Sequence, residues 1–235
     1  MRKSLIYLPV VLLVIIGMSC QQSGSVKNVK LETEADSAGY AIGILVGTNN
    51  KQQVQNAPGG ADINLEAMVA AFNAATNDEE GVMTVEEADQ MIRRYFEAAG
   101  KKEGQKNLEE GNAFLEQNKS REGVQTTDSG LQYEIITEGD GPKPTAEDRV
   151  RVHYHGTLID GTVFDSSVDR GEPAVFGVGQ VIPGWTEALQ LMPVGSKWKV
   201  FIPANLAYGE RGAGGDIGPN SALIFEVELL EIVKE

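Results

Sequence analysis

Residues 150–164 read VRVHYHGTLIDGTVF and decide the fold of the C-terminal half. Val150, Val152 and Tyr154 alternate with basic residues, and this period of two predicts a β-strand with one apolar face. The Asp-Gly pair at 160–161 is typical of a tight hairpin turn. The stretch therefore predicts two antiparallel strands joined by a short connection.

The same alternation returns on both sides of this hairpin. It occurs in residues 131–135, in 197–202 and in 223–229, which predicts an antiparallel sheet with one solvent-facing side. A single short helical stretch at 185–192 is ended by Pro193. We therefore expect an α+β domain in which the sheet wraps around one short helix.

Upstream, the period is helical from about residue 34 to about residue 118. Apolar residues spaced i, i+3, i+4, i+7 predict helices around 38–45 and 65–72, separated by a loop at 56–60. A third helix is expected after Thr84, because a Glu stands three residues later in a capping-box pattern. The sequence thus predicts an all-α segment before the sheet.

Two glycines complicate the third helix. Gly100 and Gly104 each cost about 1 kcal/mol relative to Ala in a helix interior, which argues against one continuous rod, although 108–114 is helical again in pattern. The helical segment also has too few residues to close a core of its own. Its apolar faces either pack on the C-terminal half or join a second copy of the chain, and we expect the second.

The N-terminus has the pattern of a secretory signal. Arg2 and Lys3 precede an apolar run at 5–18 that is too short to span a bilayer, so residues 1–19 are predicted to be a signal peptide. Cys20, the only cysteine, is either a chance free thiol or a lipidation site. The second reading rests on a resemblance to a bacterial lipobox, from which Gly17 departs because an aliphatic residue is usual there.

The charge balance excludes some classes of partner. The chain of 235 residues carries 34 acidic and 20 basic residues, a net charge of −14. Such an acidic surface argues against binding to nucleic acid and against docking on anionic lipid through a basic patch.

Reactive chemistry has little support in the C-terminal half. His153 and His155 alternate with Tyr154 on one strand, and two His without a Cys make a metal site unexpected. No His–acid pattern near Ser166-Ser167 predicts an activated nucleophile. Acidic residues are dispersed, which disfavours a paired-carboxylate hydrolase. What remains is an apolar and aromatic set that is either plain core or the lining of a pocket.

Five segments favour the pocket. Residues 152–158, 160–167, 181–185, 207–209 and 223–230 resemble, in this order, the FKBP family of peptidyl-prolyl cis–trans isomerases. The segment that includes 109–115 is similar to the N-terminal domain of Mip-like bacterial FKBPs, an all-helical dimerisation module joined to the isomerase by a long helix. The resemblance implies an FKBP-like sheet wrapped on a short helix and the isomerisation of X–Pro bonds, with no cofactor and no metal.

The resemblance also implies roles for individual residues. Tyr154, Asp165, Ile182 and Tyr208 would be catalytic, with the Tyr208 hydroxyl and the Ile182 N–H bonding substrate carbonyls. Asp165 would be held by Tyr154 and Arg170. Ala174 departs from the family, in which an aromatic residue often stands at the rim. The substrate-binding surface would consist of Phe164, Phe176, Val181, Trp185 as the floor, Ile217 and Phe225.

Together these patterns predict four segments: a signal peptide at 1–19, a tether at 20–30, a helical dimerisation domain at 31–120 and an isomerase domain at 121–235. We expect a lipid-anchored, homodimeric isomerase of the cell envelope that acts on Pro-containing exported chains. Two alternatives remain open. The pocket could bind such chains without isomerising their X–Pro bonds, as a binding module or chaperone would. Alternatively, the helical half could be the functional part of a surface lipoprotein.

Overall fold

A computed structural model describes residues 29–233, so the predicted signal peptide and Cys20 lie outside the described residues. The described residues fall into two compact units that divide between Gly47 and Thr48, inside the first helix. No helix within 29–233 combines the length and the apolar character needed to cross a membrane.

The predicted helical segment is helical in the structure. It contains α1 (Glu34–Gln55), α2 (Leu65–Thr76) and α3 (Val85–Asn118). The turn residues between α1 and α2 form the predicted loop, which ends in a short 3₁₀ helix at Gly60–Asp62. The side chain of Asn64 begins α2 by accepting hydrogen bonds from two backbone N–H groups of its first turn.

The third helix corrects one expectation. Its capping box is present, with Thr84 and Glu87 each bonding the other's backbone N–H. However, α3 continues without interruption for 34 residues, so the break suggested by Gly100 and Gly104 does not occur. Gly104 and Gly111 are buried where α3 lies against other parts of the chain. Close tertiary packing therefore offsets the low helix propensity of glycine.

Seven strands form one antiparallel sheet in the order β1-β2-β6-β7-β3-β4, with β5 also paired to β3. The predicted strands are confirmed, whereas the three-residue β1 and the four-residue β5 were not predicted because such short strands show no clear period. The strands are β1 (Val124–Thr126), β2 (Gln132–Thr137), β3 (Arg149–Leu158), β4 (Val163–Ser166), β5 (Ala174–Gly177), β6 (Lys197–Ile202) and β7 (Leu223–Val233).

One face of the sheet is covered by α4 (Pro183–Leu191), the predicted short helix, which begins with Pro at its first position. Trp185, Ala188 and Leu189 of this helix join the main core. Gly184 allows the close approach, because a Cβ there would lie 2.5 Å from Cγ2 of Ile202 on β6. The α+β fold expected from the sequence, with a sheet wrapped on a short helix, is confirmed.

The opposite face of the sheet is not entirely solvated, contrary to the expectation of one polar side. A second buried cluster joins Leu115 of α3 to Phe201 of β6 and to Ala222, which precedes β7. Phe114 adds a tilted aromatic contact with Phe201 at 6.0 Å between ring centroids. The C-terminal part of α3 therefore packs on the sheet and forms part of the same compact unit.

Candidate functional site

The ten residues predicted for the site line one cavity of about 630 Å³. They come from four strands, from the start of α4 and from the connection between β6 and β7. The ten are Tyr154 on β3, Phe164 and Asp165 on β4, Phe176 on β5, Val181 and Ile182 before α4, Trp185 on α4, Tyr208 and Ile217 in the β6–β7 connection, and Phe225 on β7.

Trp185 lies at the centre of the aromatic part of the cavity and is 5% exposed. Three rings meet it edge to face, those of Tyr154, Phe176 and Phe225, with centroids 5.2–5.7 Å away. Edge-to-face pairs of this kind prefer centroid distances of about 4.5–7 Å and fix one another's orientation. The result is a rigid, water-poor floor beneath an open mouth.

The site requires glycine at position 156, a residue that the sequence analysis included only as part of a motif segment. A Cβ at this position of β3 would lie 2.7 Å from the ring of Phe164 and 2.8 Å from the ring of Phe225. No ordinary side chain fits in that space, so glycine allows these two rings to meet edge to face at 5.4 Å. The aromatic wall therefore depends on a residue without a side chain.

One edge of the cavity is polar. The Tyr154 hydroxyl donates to the Asp165 carboxylate, with 2.5 Å between the oxygens. Arg170 donates to the same carboxylate, and its second terminal nitrogen donates to the Tyr154 hydroxyl at 2.8 Å. The three side chains thus form a closed ring of hydrogen bonds that holds the Tyr154 ring in place.

Electrostatics keep this ring in one protonation state. Burial raises the pKa of the Asp165 carboxyl, but hydrogen bonds from Tyr154 and Arg170 and the Arg170 charge outweigh burial and lower the pKa overall. Burial, followed by the hydrogen bond to Asp165, raises the pKa of the Tyr154 hydroxyl. Asp165 is therefore a carboxylate and Tyr154 a neutral donor at neutral pH.

Several donors of the cavity have no partner in the part of the chain that the structure describes. They include the buried Nε1 of Trp185 and the two groups predicted to bond substrate carbonyls. The Ile182 N–H makes no hydrogen bond there, although the Ile182 carbonyl accepts from Trp185 and Thr186 at the start of α4. The Tyr208 hydroxyl likewise bonds to nothing among residues 29–233, and its side chain is 42% exposed. Both donors are available to a ligand in the cavity.

Sequence reasoning missed four lining residues: Gln180, Ala213, Gly214 and Asp216. Gln180 ends a 3₁₀ turn directly before Val181, and the other three are neighbours of Ile217 in the same connection. The sequence indicated these residues only by their position next to predicted site residues. Ala174, the departure from the family pattern, is partly buried against the core and does not line the cavity.

The sequence showed no His–acid pattern that would activate Ser166 or Ser167, but the structure places a histidine beside each serine, and Nδ1 of His155 also lies 3.8 Å from a carboxylate oxygen of Asp169. Nδ1 of His155 lies 3.0 Å from the Ser166 hydroxyl, and Nδ1 of His153 lies 3.1 Å from that of Ser167. Both hydroxyls are buried and also bond backbone groups, Ser166 at Asp169 and Ser167 at Tyr154. These serines therefore fasten the turn after β4, and a buried hydroxyl used in this way is not an accessible nucleophile.

Comparison with known proteins agrees with this geometry. Residues 141–230 match the family described as FKBP-type peptidyl-prolyl cis-trans isomerase, and residues 35–135 match the domain described as amino-terminal to that isomerase. The two matches together cover most of the described residues.

Individual relatives extend the likeness to nearly the whole chain. An FKBP-type 22 kDa peptidyl-prolyl cis-trans isomerase of Escherichia coli is 50% identical over 86% of this chain and 97% of its own length. A Legionella longbeachae protein named "Outer membrane protein MIP" is 45% identical over 87% of this chain and 88% of its own. The crystal structure of FkpA from Escherichia coli superposes with a TM-score of 0.61 and 33% identity, covering 86% of this chain and 98% of that one.

Proposed function

Because this chain belongs to the FKBP-type peptidyl-prolyl cis–trans isomerases and carries their amino-terminal helical domain, we propose that its X–Pro isomerisation takes place in the cavity over Trp185. The single observation that carries this assignment is the pair of donors without partners, the Tyr208 hydroxyl and the Ile182 N–H, beside a floor of edge-to-face rings. This pair can hold a peptide by its carbonyl oxygens while the floor receives the proline ring.

The chemistry breaks no covalent bond. An X–Pro bond rotates slowly because its partial double-bond character sets a barrier of about 18–20 kcal/mol. The planar amide is more charge-separated than the twisted transition state, in which conjugation is lost. A water-poor aromatic cavity withholds solvation from the planar form, and this favours rotation. The hydrogen bonds of Tyr208 and Ile182 keep the chain on either side oriented during the turn.

Asp165 acts at the edge of this surface. Its carboxylate is held by Tyr154 and Arg170, so its negative charge has a fixed position beside the aromatic floor. In our proposal this charge lies near the carbonyl carbon of the rotating amide and orients the carbonyl dipole. Because Asp165 also positions Tyr154, its removal affects both the charge and the wall.

The test is a coupled assay of a short Pro-containing peptide with single-group variants. Tyr208→Phe removes only the hydroxyl, and we expect kcat/KM to fall roughly 2- to 10-fold, as for the loss of one hydrogen bond. Asp165→Leu should cost more, because it removes the charge and breaks the ring of hydrogen bonds.

Tyr133→Phe is the matched control, since the Tyr133 hydroxyl bonds Gln125 and does not line the cavity. This variant should keep full activity. If Tyr208→Phe is as active as Tyr133→Phe, the assignment of Tyr208 is wrong. If a folded wild-type protein binds the peptide without turnover, the cavity is a binding module only.

We also propose an exported, lipid-anchored protein with the domain boundaries expected from the sequence: 1–19, 20–30, 31–120 and 121–235. Support comes from the signal-like N-terminus, from the sole cysteine at its end and from the name of the Legionella relative. Its substrates are then Pro-containing chains outside the cytoplasm. Mass spectrometry of the mature protein tests this, because lipidation predicts cleavage before Cys20 and an acylated first residue, both lost in Cys20→Ser.

Finally, we propose that the helical domain joins two copies of the chain. Each of its helices exposes large apolar side chains, among them Leu45 at 63%, Val69 at 54% and Ile92 at 56%. Apolar surface of this extent on an otherwise polar helical segment favours a protein partner. A second copy provides one of matching character, as in a two-fold interface that pairs the same patch with itself.

A further inference from the structure

The connection between β6 and β7 contacts two different parts of the molecule. Ala213, Asp216 and Ile217 line the cavity, as does Tyr208 earlier in the same connection. The next residues, from Gly218 to Ala222, lie against the middle of α3. Only one residue step separates the wall of the pocket at Ile217 from the helix contact at Gly218.

The helix contact is polar and specific. The Asn107 side chain of α3 donates to the Pro219 carbonyl at 2.9 Å and lies 3.5 Å from the Ser221 hydroxyl. In the opposite direction, the Asn220 side chain donates to the Gly104 carbonyl at 3.4 Å. Two amide side chains thus join α3 to the connection.

Glycines on α3 bring the two segments close together. A Cβ at Gly104 would lie 3.1 Å from Cβ of Pro219, and a Cβ at Gly111 would lie 3.1 Å from Cβ of Ala222. Gly100, one turn earlier on the same helix, is different, because its Cβ would lie an ordinary 4.0 Å from Pro58. Among these three glycines of α3, only Gly104 and Gly111 allow a close approach to the connection.

The contact continues to the substrate-binding groups through the backbone. Asn220, whose φ is 54°, donates its N–H to the carbonyl of Gly209 at 2.8 Å, and Gly209 follows Tyr208 directly. Ile217 is held by a pair of backbone hydrogen bonds with Ala213. Apart from two 3₁₀ turns, at Ala204–Leu206 and at Gly209–Arg211, the connection has no helix or strand of its own, so its position depends on its neighbours.

We propose that Gly104 and Asn107 of α3 are positioning residues for prolyl isomerisation: they hold the β6–β7 connection so that Tyr208 and Ile217 face the substrate. The long helix then supports the pocket as well as linking the helical domain to the sheet. This inference rests on the proposed roles of Tyr208 and Ile217 in substrate binding. It predicts that substitutions on α3, outside the cavity, weaken substrate binding.

Gly104→Ala and Gly100→Ala in the full chain form the first test. Both raise the intrinsic helix propensity by the same amount, about 1 kcal/mol, but only the first places a methyl group against Pro219. We expect Gly104→Ala to raise KM for a Pro-containing peptide roughly 2- to 10-fold, with a smaller change in kcat, since about one hydrogen bond to substrate is misplaced. Gly100→Ala should keep the wild-type KM.

Asn107→Ala and Asn107→Asp form the second test, which does not depend on the folding of Gly104→Ala. Asp has the shape of Asn but presents an oxygen to the Pro219 carbonyl, so KM should rise more in Asn107→Asp than in Asn107→Ala. If Asn107 only filled space, Asn107→Ala would raise KM more than Asn107→Asp, because alanine removes more of the side chain. Asn112→Asp, at an exposed position of α3, is the control and should keep the wild-type KM.

The failures of the two proposals can be distinguished. If Tyr208→Phe is fully active, the proposed roles of the connection fail, and this inference fails with them. If Tyr208→Phe loses activity while Gly104→Ala and both Asn107 variants keep the wild-type KM, only this inference is overturned. Variants that unfold at lower temperature yet bind peptide as the wild type does also overturn it, because α3 then stabilises the fold without positioning the pocket.

Discussion

At the scale of single residues, the ring of hydrogen bonds among Tyr154, Asp165 and Arg170 has a consequence for the pH dependence of the enzyme. The pKa of the Asp165 carboxyl lies below its ordinary value, and that of Tyr154 lies above its own. Neither group changes charge near neutrality, and the reaction itself transfers no proton. Neither the Asp165 carboxyl nor the Tyr154 hydroxyl therefore titrates between about pH 6 and 8.

We accordingly expect kcat/KM of the wild-type protein to stay constant within about a factor of two between pH 6 and 8. The measurement is the coupled peptide assay in buffers of equal ionic strength. A bell-shaped profile in this range would show proton transfer in the rate-determining step and would contradict the rotation mechanism.

The same carboxyl predicts how stability varies with pH. Because the pKa of Asp165 is lowered by folding, its stabilising contribution is complete above the ordinary carboxyl pKa of about 3.9 and is lost as the pH falls through the lower folded value. Wild type should therefore be more stable than Asp165→Asn at pH 7, and the difference should shrink towards pH 3. Denaturant unfolding at both values measures it. A difference that grows on acidification would contradict the sign of the shift.

Residues of the site differ in how well the sequence predicted them. Eight of the ten predicted side chains lie in five motif segments that occur in one order, Phe176 and Ile217 lie outside them, and the structure brings all ten together. Gly156 lies within one of the motif segments, but glycine is required there because two aromatic rings from other strands leave no room for a side chain. The pairing of His155 with Ser166 depends on the register between β3 and β4, in which these residues lie opposite each other. The register between β3 and β4 cannot be predicted from the spacing of residues along the chain.

At the scale of elements, α3 shows where local propensity and tertiary structure disagree. Periodicity predicted its two halves, and the capping box predicted its start, but its continuity depends on contacts that only the fold supplies. Of the two glycines that made a break reasonable, Gly104 lets α3 approach the β6–β7 connection closely, as Gly111 does near Ala222, whereas Gly100 makes only an ordinary contact. The same contacts cover the sheet face that alternation alone assigned to solvent.

The C-terminal end of α3 is joined to the sheet by a buried amide pair, which gives an element-scale prediction. Asn118, 2% exposed, donates to the Gln132 side chain at 2.8 Å and accepts from Arg121. Asn118→Leu would leave the Gln132 oxygen buried without a donor, so we expect a loss of about 1–3 kcal/mol in the free energy of unfolding. Denaturant unfolding is the measurement.

Asn112→Leu is the matched control for this substitution, because Asn112 is exposed on the same helix. It should change the free energy of unfolding by no more than about 0.5 kcal/mol. Equal effects of the two substitutions would mean that the amide pair contributes nothing beyond helix propensity.

At the scale of the whole molecule, the two halves of the chain differ in how much of their apolar surface is buried. The isomerase half buries its aromatic residues in a core and leaves one cavity open, and its sheet closes around α4. The helical half has no buried residue in α1 or α2. In our proposal, a second copy of the chain covers the exposed apolar side chains of these helices.

We therefore expect a polypeptide of residues 26–235 to sediment as a dimer at micromolar concentration. The double substitution Ile42→Glu and Leu45→Glu places two charges on side chains of α1 that are 62% and 63% exposed, and it should give a monomer. Ile136→Glu, at a 49% exposed apolar position of β2, is the control and should remain dimeric. Because the cavity lies in the part of the chain that has its own core, all three proteins should isomerise a short peptide equally well. A monomeric wild type, or a double variant that remains dimeric, would contradict an interface built on α1.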